Sequence, residues 1–174
     1  MHEKIRVAMP EQEPQVRATN FEEVALGYTP EMAKQEAARC LKCKNPLCRQ
    51  ACPVGVDIPD FIGAICQDDM RGAIAALKRK NSLPAVCGRV CPQESQCESK
   101  CILGIKSEPI AIGRLERYVA DTARSEALES VSGSSLAADA PKVAIIGSGP
   151  AGLAAAGELV GYGYAVTVFE ALHT

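Results

Sequence analysis

Eight of the nine cysteines in this chain fall into two short stretches, and no other feature restricts the fold as much. The first, CLKCKNPLCRQACP at residues 40–53, spaces its thiols two, four and three residues apart and ends in Cys52-Pro53. The second, CGRVCPQESQCESKC at residues 87–101, spaces them three, five and three apart, with Pro92 directly after Cys91. Thiols this close bind metal, do redox chemistry or pair as disulfides. The start, MHEKIRVAMPEQEPQ, has no apolar core after its charges and does not read as a signal peptide. The expected location is therefore cytoplasmic, where thiols stay reduced and disulfides are rare. The ninth cysteine, Cys66 in FIGAICQ, stands alone and is expected to be an inert core side chain.

At 174 residues the chain has room for one domain or two small ones. Hydrophobic residues make up 47%, but aromatics only 4% and Trp is absent, so aliphatic side chains must fill the core. Net charge is −2, and Lys and Arg are scattered rather than massed, which argues against nucleic acid or an anionic membrane surface as partner. No run of about 18 apolar residues occurs, so no membrane span is expected.

Residues 1–28 read as a mostly extended lead interrupted by Pro10 and Pro14. Thr29 can cap a helix with Pro30 at its first position, and that helix delivers Cys40 at its end. VDIPDFIGAICQ and DMRGAIAALKRKNSLP read as two short amphipathic helices, with Phe61, Ile62 and Ile65 on one face of the first and Ile74 and Leu77 on the second. A longer helix is expected to carry Ile112, Leu115, Tyr118, Val119 and Thr122 on one side. SVSGSSLAADAP, with residues 130–141, is a small-residue linker. The pattern then changes: KVAIIG predicts a buried strand, PAGLAAAGELVGYG a helix and turn, and AVTVFE a second strand.

Three chemistries compete for the cysteines. A four-thiolate zinc site would use a Cys-x2-Cys knuckle such as Cys40 and Cys43, in a structural interaction module. A dithiol redox protein would need a cysteine of lowered pKa. Eight cysteines with a Cys-Pro pair in each group instead resemble the bacterial iron–sulfur pattern, in which close thiolates give three ligands to one cluster and the last cysteine to another. A short loop supplies three ligands around a compact cubane, and a distant segment closes the fourth corner.

The second motif is VAIIGSGPAG, whose Gly147, Gly149 and Gly152 follow a predicted strand and open a helix. Gly147 permits the tight turn, Gly149 lets backbone approach a pyrophosphate, and Gly152 lets helix pack on strand. With Ser148, Pro150 and Ala151 they form a candidate phosphate turn at a helix N-terminus. Glu170 ends the next strand, 18 residues past Gly152, where an acidic side chain accepts hydrogen bonds from an adenosine ribose. NAD and FAD both fit this pattern.

RCLKCKNPLCRQACPVGVDIPDFI, LPAVCGRVCPQESQCESKC and IGRLERYVAD resemble the N-terminal helical ferredoxin domain of the glutamate synthase small chain. Dihydropyrimidine dehydrogenase and the large subunit of the NADH-dependent ferredoxin:NADP oxidoreductase share that arrangement. The resemblance runs from about residue 17 and is most specific over residues 40–120. It implies two [4Fe–4S] clusters on interleaved ligands: Cys40, Cys43, Cys48 and Cys101 for one, Cys52, Cys91 and Cys97 for the other. It implies that Glu116 supplies the eighth ligand, with Cys87 as its rival, while Glu116 could equally be a solvated helix residue paired with a nearby arginine. GSGPAGL with VTVFE is similar to the FAD-binding half of these oxidoreductases, whose relatives continue into a second dinucleotide domain for NADPH. The implied partner is a catalytic subunit such as the glutamate synthase large chain, or a ferredoxin-type electron carrier; a ferredoxin:NADP oxidoreductase or sulfide dehydrogenase type of complex is the alternative.

The expected fold is mainly α: a helical ferredoxin-type iron–sulfur domain over residues 1–129, a linker over 130–141, and the β-α-β start of a Rossmann-like domain over 142–174. Two parallel strands and one helix cannot bury both faces of a sheet, so the chain is expected to be the N-terminal piece of a longer one, with flavin binding weak or absent in this piece alone. No general acid, base or nucleophile is expected, and His2 and His173 lie near the termini outside both motifs.

Overall fold

The computed structural model describes residues 4–128 and 136–172. His2, His173 and residues 130–135 of the expected linker lie outside them.

The lead is not mostly extended. Pro14 sits at the first position of a short helix, α1 (Pro14–Arg17), and its fixed φ suits that place. Asn20 then folds the chain back: its amide donates to Gln12 Oε1 and to the Val16 carbonyl, each at 2.9 Å, and accepts from the Glu22 N–H at 2.8 Å. The return leg bridges Glu11 to Ala25, with Gln12 N–H donating to Val24 O and Leu26 N–H to Pro10 O.

Helix α2 (Pro30–Ala38) starts as expected, with Thr29 Oγ1 accepting from the Met32 N–H at 3.3 Å. After the one-turn α3 (Leu47–Gln50), α4 (Ile58–Cys66) buries Ile58, Phe61, Ile62 and Ile65. Asp69 caps α5 (Met70–Lys78), which buries Ile74 and Leu77 against α4. The second cysteine group opens on α6 (Pro84–Val90), and the chain then makes two 3-10 turns, Glu98–Lys100 and Ile102–Ile105. Helix α7 (Ile112–Ser125) closes the core with Ile112, Leu115, Tyr118 and Val119; Thr122 lies at its half-buried edge and Ala123 takes the inner place. Helices α6 and α7 meet at Gly88, where a Cβ would stand 2.6 Å from the Arg117 backbone nitrogen.

A buried ion pair ties this core to the lead. Glu36 and Arg39 are 0% and 2% exposed, with Arg39 Nη1 donating to Glu36 Oε1 at 2.6 Å. Glu36 also accepts from the Val7 and Ala111 N–H groups, each at 2.8 Å, and Arg39 Nη2 donates to the Glu108 carbonyl at 2.6 Å. Every polar end is satisfied, which is the condition for burying charge at tolerable cost.

The C-terminal unit is β1 (Lys142–Ile146), α8 (Pro150–Gly161) and β2 (Ala165–Phe169), paired parallel from Lys142↔Ala165 to Ile146↔Phe169. The expected β-α-β order is present, but β1 is not a buried strand: it alternates exposed and half-buried positions. Among the described residues each strand has one neighbour, so outer edges and apolar side chains such as Ile146, 82% exposed, stay uncovered. No described helix is long and apolar enough to cross a membrane.

Candidate metal centre and nucleotide turn

Two cavities gather the cysteines, and each draws on both sequence groups. The first is lined by Cys40, Cys43 and Cys48 from the first group and Cys101 from the second, with Leu41, Leu47, Ile62, Ile102, Leu103 and Ile110 around them. The second is lined by Cys52, Cys87, Cys91, Cys97 and Glu116, together with Asn81, Gln93 and Gln96. Ile58 at the start of α4 and Ile112 at the start of α7 line both, so they stand in the wall between them.

Local backbone choices aim the thiols. Arg39 ends α2, so Cys40 follows at the helix end. Lys42 then adopts φ 49°, a left-handed turn costing a side chain roughly 1–2 kcal/mol, and Cys40 and Cys43 face one cavity from either side of it. Cys48 lies on α3. Pro92 disfavours helix at the residue before it, so α6 stops at Val90 and Cys91 is extended at φ −63°, ψ 138°. Cys101, at φ −67°, ψ 124°, separates the two 3-10 turns and returns to the first cavity. Glu98 fixes the segment between Cys97 and Cys101: it is buried, accepts from Arg6 Nη2 at 2.7 Å and from the Gly113 N–H at the head of α7 at 3.2 Å.

Burial pushes four of the thiols, Cys40, Cys48, Cys91 and Cys97, toward the protonated form. The Cys40 thiol is raised by burial and by Cys101, Cys43 and Cys66; burial lifts Cys48 to about 11, Cys91 to about 11 with Cys87 beside it, and Cys97 to about 12 with Glu98 beside it. A reactive dithiol needs the reverse shift. Among the described residues no three His, Cys, Asp or Glu groups converge as a single ion requires. Four thiolates around one zinc stand roughly 3.8 Å apart, whereas a cubane places its own iron and sulfide between its ligands. Donors spread around a cavity fit the larger group.

Glu116 is neither solvated nor paired with an arginine. It is 8% exposed, accepts from Asn81 Nδ2 at 2.7 Å, and burial raises its pKa to about 7. The neighbouring arginines go elsewhere: Arg114 donates to the Val7 carbonyl and Arg117 to Glu23. Cys87 lines the same cavity, so both candidates for the eighth position are at hand. Cys66 differs from expectation: it ends α4 half-buried rather than sealed in the core, near enough to Cys40 to raise its pKa, yet outside the lining of the first cavity.

Residues 17–128, which carry all nine cysteines, match the family described as dihydropyrimidine dehydrogenase domain II, 4Fe-4S cluster. The chain belongs to that family. Residues 145–174 also match a Rossmann-like NAD(P)-binding domain. The chain is 41% identical over 150 residues to the NAD-dependent dihydropyrimidine dehydrogenase subunit PreT of Escherichia coli, covering 86% of this chain and 36% of that protein. It is 41% identical over 162 residues to the glutamate synthase [NADPH] small chain of Halomonas elongata, covering 92% of this chain and 34% of that one. The corresponding Escherichia coli small chain is 38% identical over 166 residues. The chain thus spans about a third of the length of the curated relatives it matches.

In this family member the nucleotide turn is formed as its motif requires. Gly147 has φ +99°, in the region favouring glycine, and its N–H donates to the Phe169 carbonyl at 2.7 Å. A Cβ at Gly152 would collide with the Gly147 carbonyl, whereas nothing stands within 4 Å of one at Gly149. The turn is closed on the helix side and open where a phosphate would approach. Gly149 precedes α8 and Pro150 is its first residue, so the early N–H groups, Ala151 and Gly152 among them, have no partner within the helix. Glu170 is turned onto the loop: it accepts from the Ser148 N–H and hydroxyl, each at 2.8 Å, and from the Leu172 N–H at 2.9 Å, which hold its pKa down to about 2. A ribose hydroxyl would compete with the Ser148 hydroxyl for it.

The sequence had not singled out Asn81, Glu98 or the Glu36–Arg39 pair. Each sits among polar or charged neighbours in the sequence, so no local pattern marks it as buried.

Proposed function

We propose that the chain is the electron-transfer module of a flavin-dependent, NAD(P)H-linked oxidoreductase, with two [4Fe–4S] clusters held by its helical unit. Cys40, Cys43, Cys48 and Cys101 hold the first; Cys52, Cys91, Cys97 and either Glu116 or Cys87 hold the second. The observation that carries this reading is the interleaving: both cavities are lined by cysteines from both sequence groups, in the two sets the family resemblance implies. The clusters, when bound, supply one-electron carriage that a two-electron hydride donor lacks. The chain's own work is to supply the ligands, surround them with aliphatic side chains that limit water, and place Ile58 and Ile112 between the sites. Raised thiol pKa values agree with this, since iron supplies the positive charge that buried thiolates lack and binding expels their protons.

The β-α-β unit is the start of the nucleotide-binding half, taking the pyrophosphate at Gly147, Ser148, Gly149, Pro150, Ala151 and Gly152, and the ribose at Glu170. FAD is the proposed occupant, with NADPH bound by a further domain of the whole protein. Electrons pass on to a catalytic partner subunit of the glutamate synthase large-chain kind; the named dihydropyrimidine dehydrogenase subunits keep an acceptor of that kind as the alternative.

Anaerobic purification with iron, acid-labile sulfide, zinc and flavin assayed on one sample tests this. About eight iron and eight sulfide per chain, with a broad visible absorption that dithionite bleaches, is the expected outcome. Colourless protein with one or two zinc ions per chain would replace it with a structural zinc module.

A further inference from the structure

Asn81 stands between the two residues that compete for the eighth position, and its hydrogen bonds treat them in opposite ways. The side chain is 8% exposed and lines the second cavity with Cys87 and Glu116. The Leu83 N–H donates to Asn81 Oδ1 at 3.0 Å. A backbone N–H can only donate, so this bond fixes which end of the carboxamide is oxygen. The Nδ2 end then meets Glu116, donating to Oε1 at 2.7 Å. The Oδ1 end meets Cys87, whose thiol donates to it at 3.5 Å.

The amide therefore favours an acceptor at position 116 and a donor at position 87. An ionised carboxylate is acceptor-only and has two oxygens, so one held by Asn81 leaves the other for iron. A thiolate at Cys87 would face a carbonyl oxygen with no proton between them. We infer that Asn81 is a positioning residue that commits Glu116, and not Cys87, to the second cluster, by donating to the carboxylate while accepting from the thiol. This rests on the two-cluster reading above and adds to it the device that chooses the ligand.

Asn81→Asp isolates the polarity. It keeps an oxygen for the Leu83 N–H but places an acceptor where Glu116 needs a donor. The test compares the cluster-loaded chain, Cys87→Ala, Asn81→Asp and the double variant, by iron and sulfide content and by low-temperature EPR after dithionite. With Asn81 intact, Cys87→Ala keeps about eight iron per chain. Asn81→Asp withdraws the donor from Glu116 and sets a charged oxygen against a thiolate at Cys87, so it loses the second cluster's signal and about half the iron, with the first signal unchanged, whether or not Cys87→Ala is added. A halving in Cys87→Ala alone, or a double variant with full iron and an unaltered second signal, overturns the inference while leaving the two clusters standing. An iron-free parent chain overturns the reading beneath it. Asn81→Ala removes both bonds and so frees Cys87: it keeps its iron with a changed second signal, adding Cys87→Ala halves the iron, and this arm reads the inference even where the aspartate prevents folding.

Discussion

The two cysteine cavities share a plan and differ in their walls. The first is closed by four thiols, aliphatic side chains and Lys100, and its thiols come from loops, one turn of helix and the joint between two 3-10 turns. The second sits between α6 and α7 and admits Asn81, Gln93, Gln96 and Glu116 among its thiols. Clusters of the same type would thus meet different surroundings. Ligand identity, hydrogen bonding and charge set reduction potential, so on the proposed reading two clusters held here would differ in potential.

The comparison breaks most sharply at the cysteines. Cys40→Ala and Cys101→Ala are expected to remove one and the same EPR signal and about half the iron, while Cys52→Ala removes the other. Loss of a single signal by both Cys40→Ala and Cys52→Ala would mean that the cavities do not correspond to separate clusters.

Next in size is the buried pair behind the first cavity. Arg39→Ala leaves Glu36 as an uncompensated buried charge and is expected to cost about 3–5 kcal/mol in denaturant unfolding. Glu36→Met with Arg39→Met should recover much of that. Because Arg39 precedes Cys40, the first cluster should be lost faster than the second as denaturant rises. Equal loss rates would show that the pair supports the whole core and not one cavity.

A pH slope sharpens the contrast from the other side. The pKa of Glu116 is raised in the folded chain, so the native carboxyl holds its proton where the unfolded one has lost it. In cluster-free protein this stabilisation is complete below the ordinary value of 4.5 and falls away as pH rises to about 7, by about 3 kcal/mol in all. Denaturant midpoints measured across that window should fall with pH in the parent and stay flat from this source in Glu116→Gln. The raised thiols of Cys40, Cys48, Cys91 and Cys97 titrate above the window, so a slope that survives the substitution would assign it to another carboxylate or to a histidine.

How much of this was legible in the sequence follows from what each feature depends on. Thr29 with Pro30, and the helical periods of Phe61, Ile62, Ile65, Ile74 and Leu77, are local signals, and the helices they predict are present. The cysteine spacing singled out the thiols that line the cavities, and the sets implied by the resemblance fall one to each cavity. What could not be read was long-range polarity. The Asn81 bond to Glu116 spans 35 residues and the Glu36 bond to the Ala111 N–H spans 75, and neither leaves a periodic trace. The lead was misread because its turn is made by side-chain amides, Asn20 above all. The strand KVAII was misread because its burial depends on covering layers that no local pattern supplies.

The smallest expected effect is at Cys66, and it tests whether the first cavity tolerates a substitute ligand. Cys66 ends α4, close enough to Cys40 for their charges to interact, but the α4 side chains lining the cavity are Ile58, Pro59 and Ile62. Removing a half-buried thiol should shift stability by about 1 kcal/mol or less and leave iron content unchanged. The informative arm is the double variant. If Cys66 cannot turn from the end of its helix into the cavity, Cys40→Ala and Cys40→Ala with Cys66→Ala should have the same iron content and the same missing signal. If Cys40→Ala instead keeps a weakened first signal that Cys66→Ala abolishes, the half-buried thiol is a reserve ligand. The first cavity would then carry a choice of donors, as the second does with Glu116 and Cys87, and the contrast between them would rest on the polar wall alone.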